Sequence, residues 1–103
     1  MYKITFYVPV KDAERVKMAM FEAGAGKIGN YDCCSFETRG TGQFRPLPGA
    51  SPHVGSMNKI EYVDELRVEM VTAKNIIKNV VAAMKNAHPY EVVAYDVIEC
   101  LEE

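Results

Sequence analysis

Acidic residues are absent from the whole span between Arg39 and Lys59, although the 103-residue chain carries 14 of them against 12 Lys and Arg. That span is a basic island, with Arg39, Arg45, Lys59 and His53, in a protein of net charge -2. The chain as a whole lacks the basic excess with which a nucleic-acid binder displaces counterions from phosphates. Nucleic acid is therefore not expected as a partner. Nor does any CxxC pair occur among the three cysteines, of which Cys33 and Cys34 are adjacent. This argues against a disulfide framework and a zinc knuckle, and leaves reduced, mostly buried thiols as the expectation. Long apolar runs are missing too: the opening MYKITFYVPV is broken by Lys3 and Pro9. It resembles neither the apolar region of a signal peptide nor a membrane span of about 20 residues. A cytoplasmic protein with no membrane partner is expected.

What is present reads as one folding unit over residues 1–103, since a chain of this length with 49% hydrophobic residues has room for one core. Residues 2–10 alternate strictly, with Tyr2, Ile4, Phe6, Val8 and Val10 on one face, as a half-buried strand does. Asp12 stands where an N-cap would, and Ala13, Val16, Met20 and Ala23 recur at helical spacing until Gly24 and Gly26 stop the pattern. Residues 31–39 alternate again, which makes them a second strand and places Arg39–Lys59 in a Gly/Pro-rich loop. Ile60, Tyr62, Leu66, Val68 and Met70 form the apolar row of a third strand, interrupted by Asp64 at an expected bulge. Thr72 is expected to cap a second helix with an apolar stripe of Ile76, Ile77, Val80, Val81 and Met84. Pro89 ends that helix and places His88 at its junction with a last strand over residues 90–100, apolar on both faces.

The order β-α-β-β-α-β predicts an α+β, ferredoxin-like fold, with one antiparallel sheet and both helices on one of its faces. The first and third strands are then central, and the doubly apolar last strand lies at an edge. A strand of that kind invites association unless it is covered, so a closed homo-oligomer is expected.

Function must then be read from sites, because this fold hosts many activities. An RNA-recognition domain needs exposed rings and basic groups on its third strand, and here that strand reads EYVDELRVEM. A copper-chaperone type needs thiols between first strand and first helix, where the sequence is PVKDAE. For nucleophilic catalysis the imidazoles are His53 and His88, with Cys33 or Cys34 the thiol to pair with His88, and no local pattern enforces that pairing. Catalysis is thus the weakest reading. No HxxxH or HxH spacing marks a metal site either, so metal ligands would have to be gathered by tertiary or subunit contacts.

Three motifs carry a family resemblance: GAGKIGNYDCCSF at 24–36, GTGQFRPLPGASPHVG at 40–55 and HPYEVVAYDV at 88–97. Together they resemble the domain inserted in many bacterial Nif-three-like (NGG1p-interacting-factor-three-like) proteins, which is related in fold to the CutA and PII proteins. The resemblance covers essentially all 103 residues. It implies a stand-alone version of that insert, a ferredoxin-like domain assembled as a homotrimer. The family's two-metal centre, which lies in flanking domains, is not carried over. By similarity to PII-like effector loops, Gly40, Thr41, Gly42 and Arg45 become candidates to cradle a small anion through backbone N–H groups and a guanidinium. The GAGKIGNY turn is either structural or, through Gly29, Asn30 and Tyr31, a further wall of such a pocket. The cation-tolerance relatives suggest His88, Glu91 and Cys34 as ligands to a divalent cation, the one cofactor this reading leaves open. The expected function is therefore a non-enzymatic trimeric module that binds a small anion or a divalent cation at its subunit clefts. The alternative is a pure oligomerisation or protein-interaction module without a small ligand, and a Cys34–His88 enzyme stands behind both.

Overall fold

A computed structural model describes residues 1–101. Four strands, β1 (Tyr2–Pro9), β2 (Phe36–Phe44), β3 (Glu61–Thr72) and β4 (Tyr95–Glu99), form one antiparallel sheet in the order β2-β3-β1-β4. Two helices, α1 (Ala13–Glu22) and α2 (Ile77–Ala87), are each entered through a 3₁₀ turn. This is the ferredoxin-like arrangement, with β1 and β3 inside and β2 and β4 at the edges.

The alternation along β1 sets the layers. Ile4, Phe6 and Val8 are fully buried and face Leu66, Val68 and Met70 of β3, against which Val16 and Met20 of α1 and Val80 and Met84 of α2 pack. The opposite row, made by Lys3, Thr5 and Tyr7 with Glu65, Arg67 and Glu69, lies on the face that no helix covers. Ile4→Val removes one methylene from the closed layer and is expected to lower stability by about 0.5–1.5 kcal/mol. Urea unfolding with an unchanged slope would show it. Lys17 fastens α1 to β2 by an ion pair of 2.7 Å to Glu37, and pairs at 2.6 Å with Glu14 within α1. Burial alone would lower its pKa, but the two carboxylates outweigh that and raise it.

The structure departs from the sequence reading at several places. Residues 40–44 continue β2 instead of opening the loop, because Gly40–Phe44 pair one to one with Glu65–Glu61. Residues 31–35 are not strand, since Ile28 and Tyr31 close a tight turn and Cys33 takes a positive φ of 54°. Asp64 makes no bulge: it sits in unbroken register opposite Thr41 and pairs with Arg39 beyond the reach of the helices. Thr72 ends β3 as a buried residue, its hydroxyl 3.3 Å from the Ala73 carbonyl, and caps nothing. The last strand has five residues, with Val93 and Val97 packed on the core and Val92 left exposed. The cysteines differ as well: Cys33 is exposed, and Cys34 and Cys100 are partly so.

One consequence shapes the molecule. β1 reaches β3 only from Glu65 to Thr72, so Glu61–Asp64 pair with β2 alone and the two strands run on as an overhanging ribbon. The principal extents, 47 × 24 × 23 Å, reflect it.

Candidate functional site

His88 is where α2 stops. Pro89 forbids another helical turn, and His88 adopts an extended ψ of 140° that buries its ring under the end of β1. Nδ1 accepts the Tyr90 N–H at 3.1 Å, so the proton must sit on Nε2, which donates to the Tyr7 carbonyl at 2.7 Å. The imidazole is thereby held neutral. Burial pushes its pKa below the ordinary 6.5, aided by Arg15 and opposed by the Tyr7 carbonyl, Glu65 and Asp12. The sign of the linkage follows from that depression. The unfolded chain takes up this proton first, so the contribution of His88 to stability is complete above about pH 6.5 and is lost as pH falls through the lowered folded value. Melting temperature is expected to drop between pH 7.5 and 5.5, and His88→Gln to flatten that drop.

Tyr90, two residues on, reaches over to β3. Its hydroxyl donates to Glu65 Oε2 at 2.9 Å, and its ring meets those of His88, Phe44 and His53 at centroid distances of 4.9, 6.3 and 6.4 Å. Burial first, then the Glu65 carboxylate, raise the pKa of the phenol, which keeps its proton for that bond. Glu65 itself lies across Gly42: a Cβ at Gly42 would stand 1.8 Å from Glu65 Oε1. This glycine makes room for a carboxylate.

The 45–60 loop completes the site. Its base is closed by the Asn58 N–H on the Pro46 carbonyl at 2.7 Å, and it leans back until the Ser51 N–H meets the Glu91 carboxylate at 3.1 Å. Between loop, ribbon and residues 90–94 lies a cavity of about 320 Å³, with Tyr7, Phe44, Glu65, Tyr90 and Glu91 among its walls. That volume falls in the range of small-molecule sites.

The residues singled out from the sequence do not all converge here. Glu91 and Gly42 line the cavity, while Gly40 and Thr41 belong to the paired strand, and Arg45 is exposed outside the lining. His88 supports Tyr90 from beneath. Gly29, Asn30 and Tyr31 form an exposed turn closed by reciprocal Ile28–Tyr31 bonds of 2.9 and 3.0 Å at the other end of the sheet. Cys34 is also there, tied through Gly26 to Val71, which pairs with Lys3. Lys3 and Tyr7 are four strand residues apart, about 13 Å, so one protomer does not bring Cys34 to His88 and Glu91. Among the described residues no three His, Cys, Asp or Glu side chains gather as a metal-holding group. The Cys33 thiol is shifted upward, by desolvation first and then by Asp32 and Cys34, which is the reverse of an activated nucleophile. Sequence reasoning singled out neither Glu65 nor Tyr90 as site residues; their contact spans 25 positions and becomes legible only once the register is known.

The fold is an α+β, ferredoxin-like arrangement of the CutA kind. Comparison with known proteins is consistent with this and adds kinship. No family model matches the chain. It is homologous to proteins named GTP cyclohydrolase 1 type 2 homolog: it is 46% identical over 95 residues to that of Bacillus subtilis (92% of this chain, 26% of the relative). To that of Mycobacterium tuberculosis it is 50% identical over 95 residues (92% and 25%). The chain thus spans about a quarter of the length of the curated relatives it matches. A crystal structure of a Bacillus cereus protein related to NIF3 superposes with a TM-score of 0.80 at 44% identity, over 93% of this chain and 24% of that one. The periplasmic divalent cation tolerance protein CutA of Archaeoglobus fulgidus gives 0.70 at 19% identity over 100% and 87%, a likeness of fold.

Proposed function

We propose that this chain is a non-enzymatic, cytoplasmic assembly module of the Nif-three-like kind. Three copies close through the open face of the sheet and the overhanging ribbon, and each offers the cavity under its 45–60 loop to a small ligand. The surface of β2 carries the reading. Every residue of that edge strand is exposed or only partly covered, Phe36 at 67%, and the ribbon adds Tyr62 at 64%. A bare edge strand flanked by exposed rings is an association hazard in a lone protomer. The CutA likeness supports a closed assembly as the remedy, and an assembly role suits a segment found within much longer relatives. No described helix is long and apolar enough to cross a membrane.

Of the two ligand classes considered, the walls favour a cation. Glu65 and Glu91 line the cavity and no Lys or Arg does, while Gly40 and Thr41 are engaged in the sheet. Melting at rising protein concentration tests the assembly half: stability coupled to association makes the transition climb with concentration, and a transition independent of concentration would refute it. The interaction-module alternative predicts the same climb with an inert cavity.

A further inference from the structure

We propose that the cavity under the 45–60 loop binds a small organic cation, an ammonium or guanidinium group on an apolar body, with Glu65 and Glu91 taking the charge and Tyr90 and Phe44 flanking the body. This deepens the ligand half of the reading above and is independent of the assembly half, since one chain supplies every wall.

Three observations converge on that chemistry. The first is charge. Among the described residues Glu65 and Glu91 make no ion pair with a cationic side chain: the Glu65 carboxylate is met by the Tyr90 hydroxyl and that of Glu91 by the Ser51 N–H, each through Oε2. Both are neutral donors, and each carboxylate keeps an oxygen, Oε1, with no partner among the described residues. Glu65 is half-buried and Glu91 exposed, and a partly buried carboxylate beside apolar walls gains most from a charged donor. The second is the walls themselves, which are mainly apolar around the two acids, with the rings of Tyr7, Phe44 and Tyr90 among aliphatic and proline surface. Aromatic faces attract cations and cover alkyl or aryl groups, which a hydrated metal ion does not need. The third is construction. Gly42 lacks a side chain where Glu65 lies, the Tyr90 hydroxyl fixes the Glu65 carboxylate, and neutral His88 fixes Tyr90. This set of contacts holds a carboxylate at a cavity wall without neutralising it. A bare divalent ion fits less well, because, although the His53 ring also lines the cavity, no three His, Cys, Asp or Glu side chains among the described residues gather as a metal-holding group.

The test is a titration of the whole chain followed by amide NMR, with tyramine and agmatine as cationic probes. 4-Ethylphenol serves as the neutral analogue of tyramine, 4-hydroxyphenylacetate as the anionic one, and Zn²⁺ and inorganic phosphate are added separately. Saturable shifts centred on Tyr7, Glu65 and Tyr90 are expected with at least one cation, and binding about tenfold weaker or more with the matched neutral and anionic compounds, the scale of one charged hydrogen bond. Glu65→Gln, which keeps an acceptor for the Tyr90 hydroxyl, and Glu91→Gln are each expected to weaken the cation by a similar factor while the remaining spectrum stays folded. Equal binding of tyramine and 4-ethylphenol would overturn the proposal, as would silence to both cations up to about 10 mM, an affinity below that of even weak fragments. Saturation by Zn²⁺ or phosphate with no response to either amine would overturn it too, and would leave the assembly reading standing, because that is read from mass and not from the cavity.

Discussion

Gly42→Ala is expected to weaken ligand uptake in the 45–60 cavity by about tenfold or more, whereas Gly40→Ala, two residues earlier on the same face of β2, leaves it unchanged. A Cβ at Gly42 would fall 1.8 Å from Glu65 Oε1, but one at Gly40 meets nothing within 4 Å. Glu65 has a flexible side chain, so the added methyl group is accommodated by swinging the carboxylate away. The strain is small and the loss is positional. With Glu65 displaced, the 2.9 Å bond from Tyr90 breaks, which costs about 1.5–3 kcal/mol if no new acceptor forms. The loop then loses the tyrosine around which Phe44 and His53 gather. Parallel thermal melts and agmatine titrations of the two variants read both effects. Equal behaviour of Gly40→Ala and Gly42→Ala would show that the Glu65 position does not matter.

The second large effect concerns assembly. Phe36→Asp combined with Ile98→Asp is expected to convert the oligomer to protomers while leaving the fold intact. Phe36 pairs with Glu69 and Ile98 with Lys3, which puts both side chains on the helix-free face of the sheet, 67% and 49% exposed. Neither packs in the protomer's core, so a charge there costs the isolated fold little. Buried between copies, two unpaired carboxylates per subunit would be prohibitive. Val93→Asp is the uninformative choice, because Val93 packs on the core and its loss would unfold the chain. Far-UV circular dichroism unchanged together with a protomer-sized elution volume is the expected pair of results.

Much of the architecture is legible in the sequence, for physical reasons. The strict alternation of Ile4, Phe6 and Val8 and the stripe of Val80 and Met84 are dictated by the core they face, so pattern and burial agree. Patterning fails where burial stops. The ribbon formed by residues 41–44 and 61–64 lies beyond the helices, and its strands are exposed, glycine-bearing and charged, with no periodic core face to announce them. Asp64 looked like an interruption of the apolar row for that reason: the row itself outlasts the layer that makes it apolar. Thr72 illustrates another limit, since a residue suited to capping can be absorbed by the preceding strand. The site was half visible. His88, Pro89 and Glu91 stand out beside the second helix, but the partner that gives Tyr90 its role, Glu65, is one carboxylate among four in a strand and is distinguished only by the glycine opposite its flank.

The GTG motif changes its meaning on the same ground. Without the pairing, Gly40, Thr41 and Gly42 look like a phosphate loop; with it, they are strand residues whose smallness serves a neighbouring acid.

Sedimentation equilibrium of the unmodified chain at micromolar concentration decides whether three copies close on one another. A single species of three times the protomer's 11.5 kDa is expected. A monodisperse species at the protomer mass would contradict it, since the exposed rings of β2 and the ribbon would then remain in water without harm.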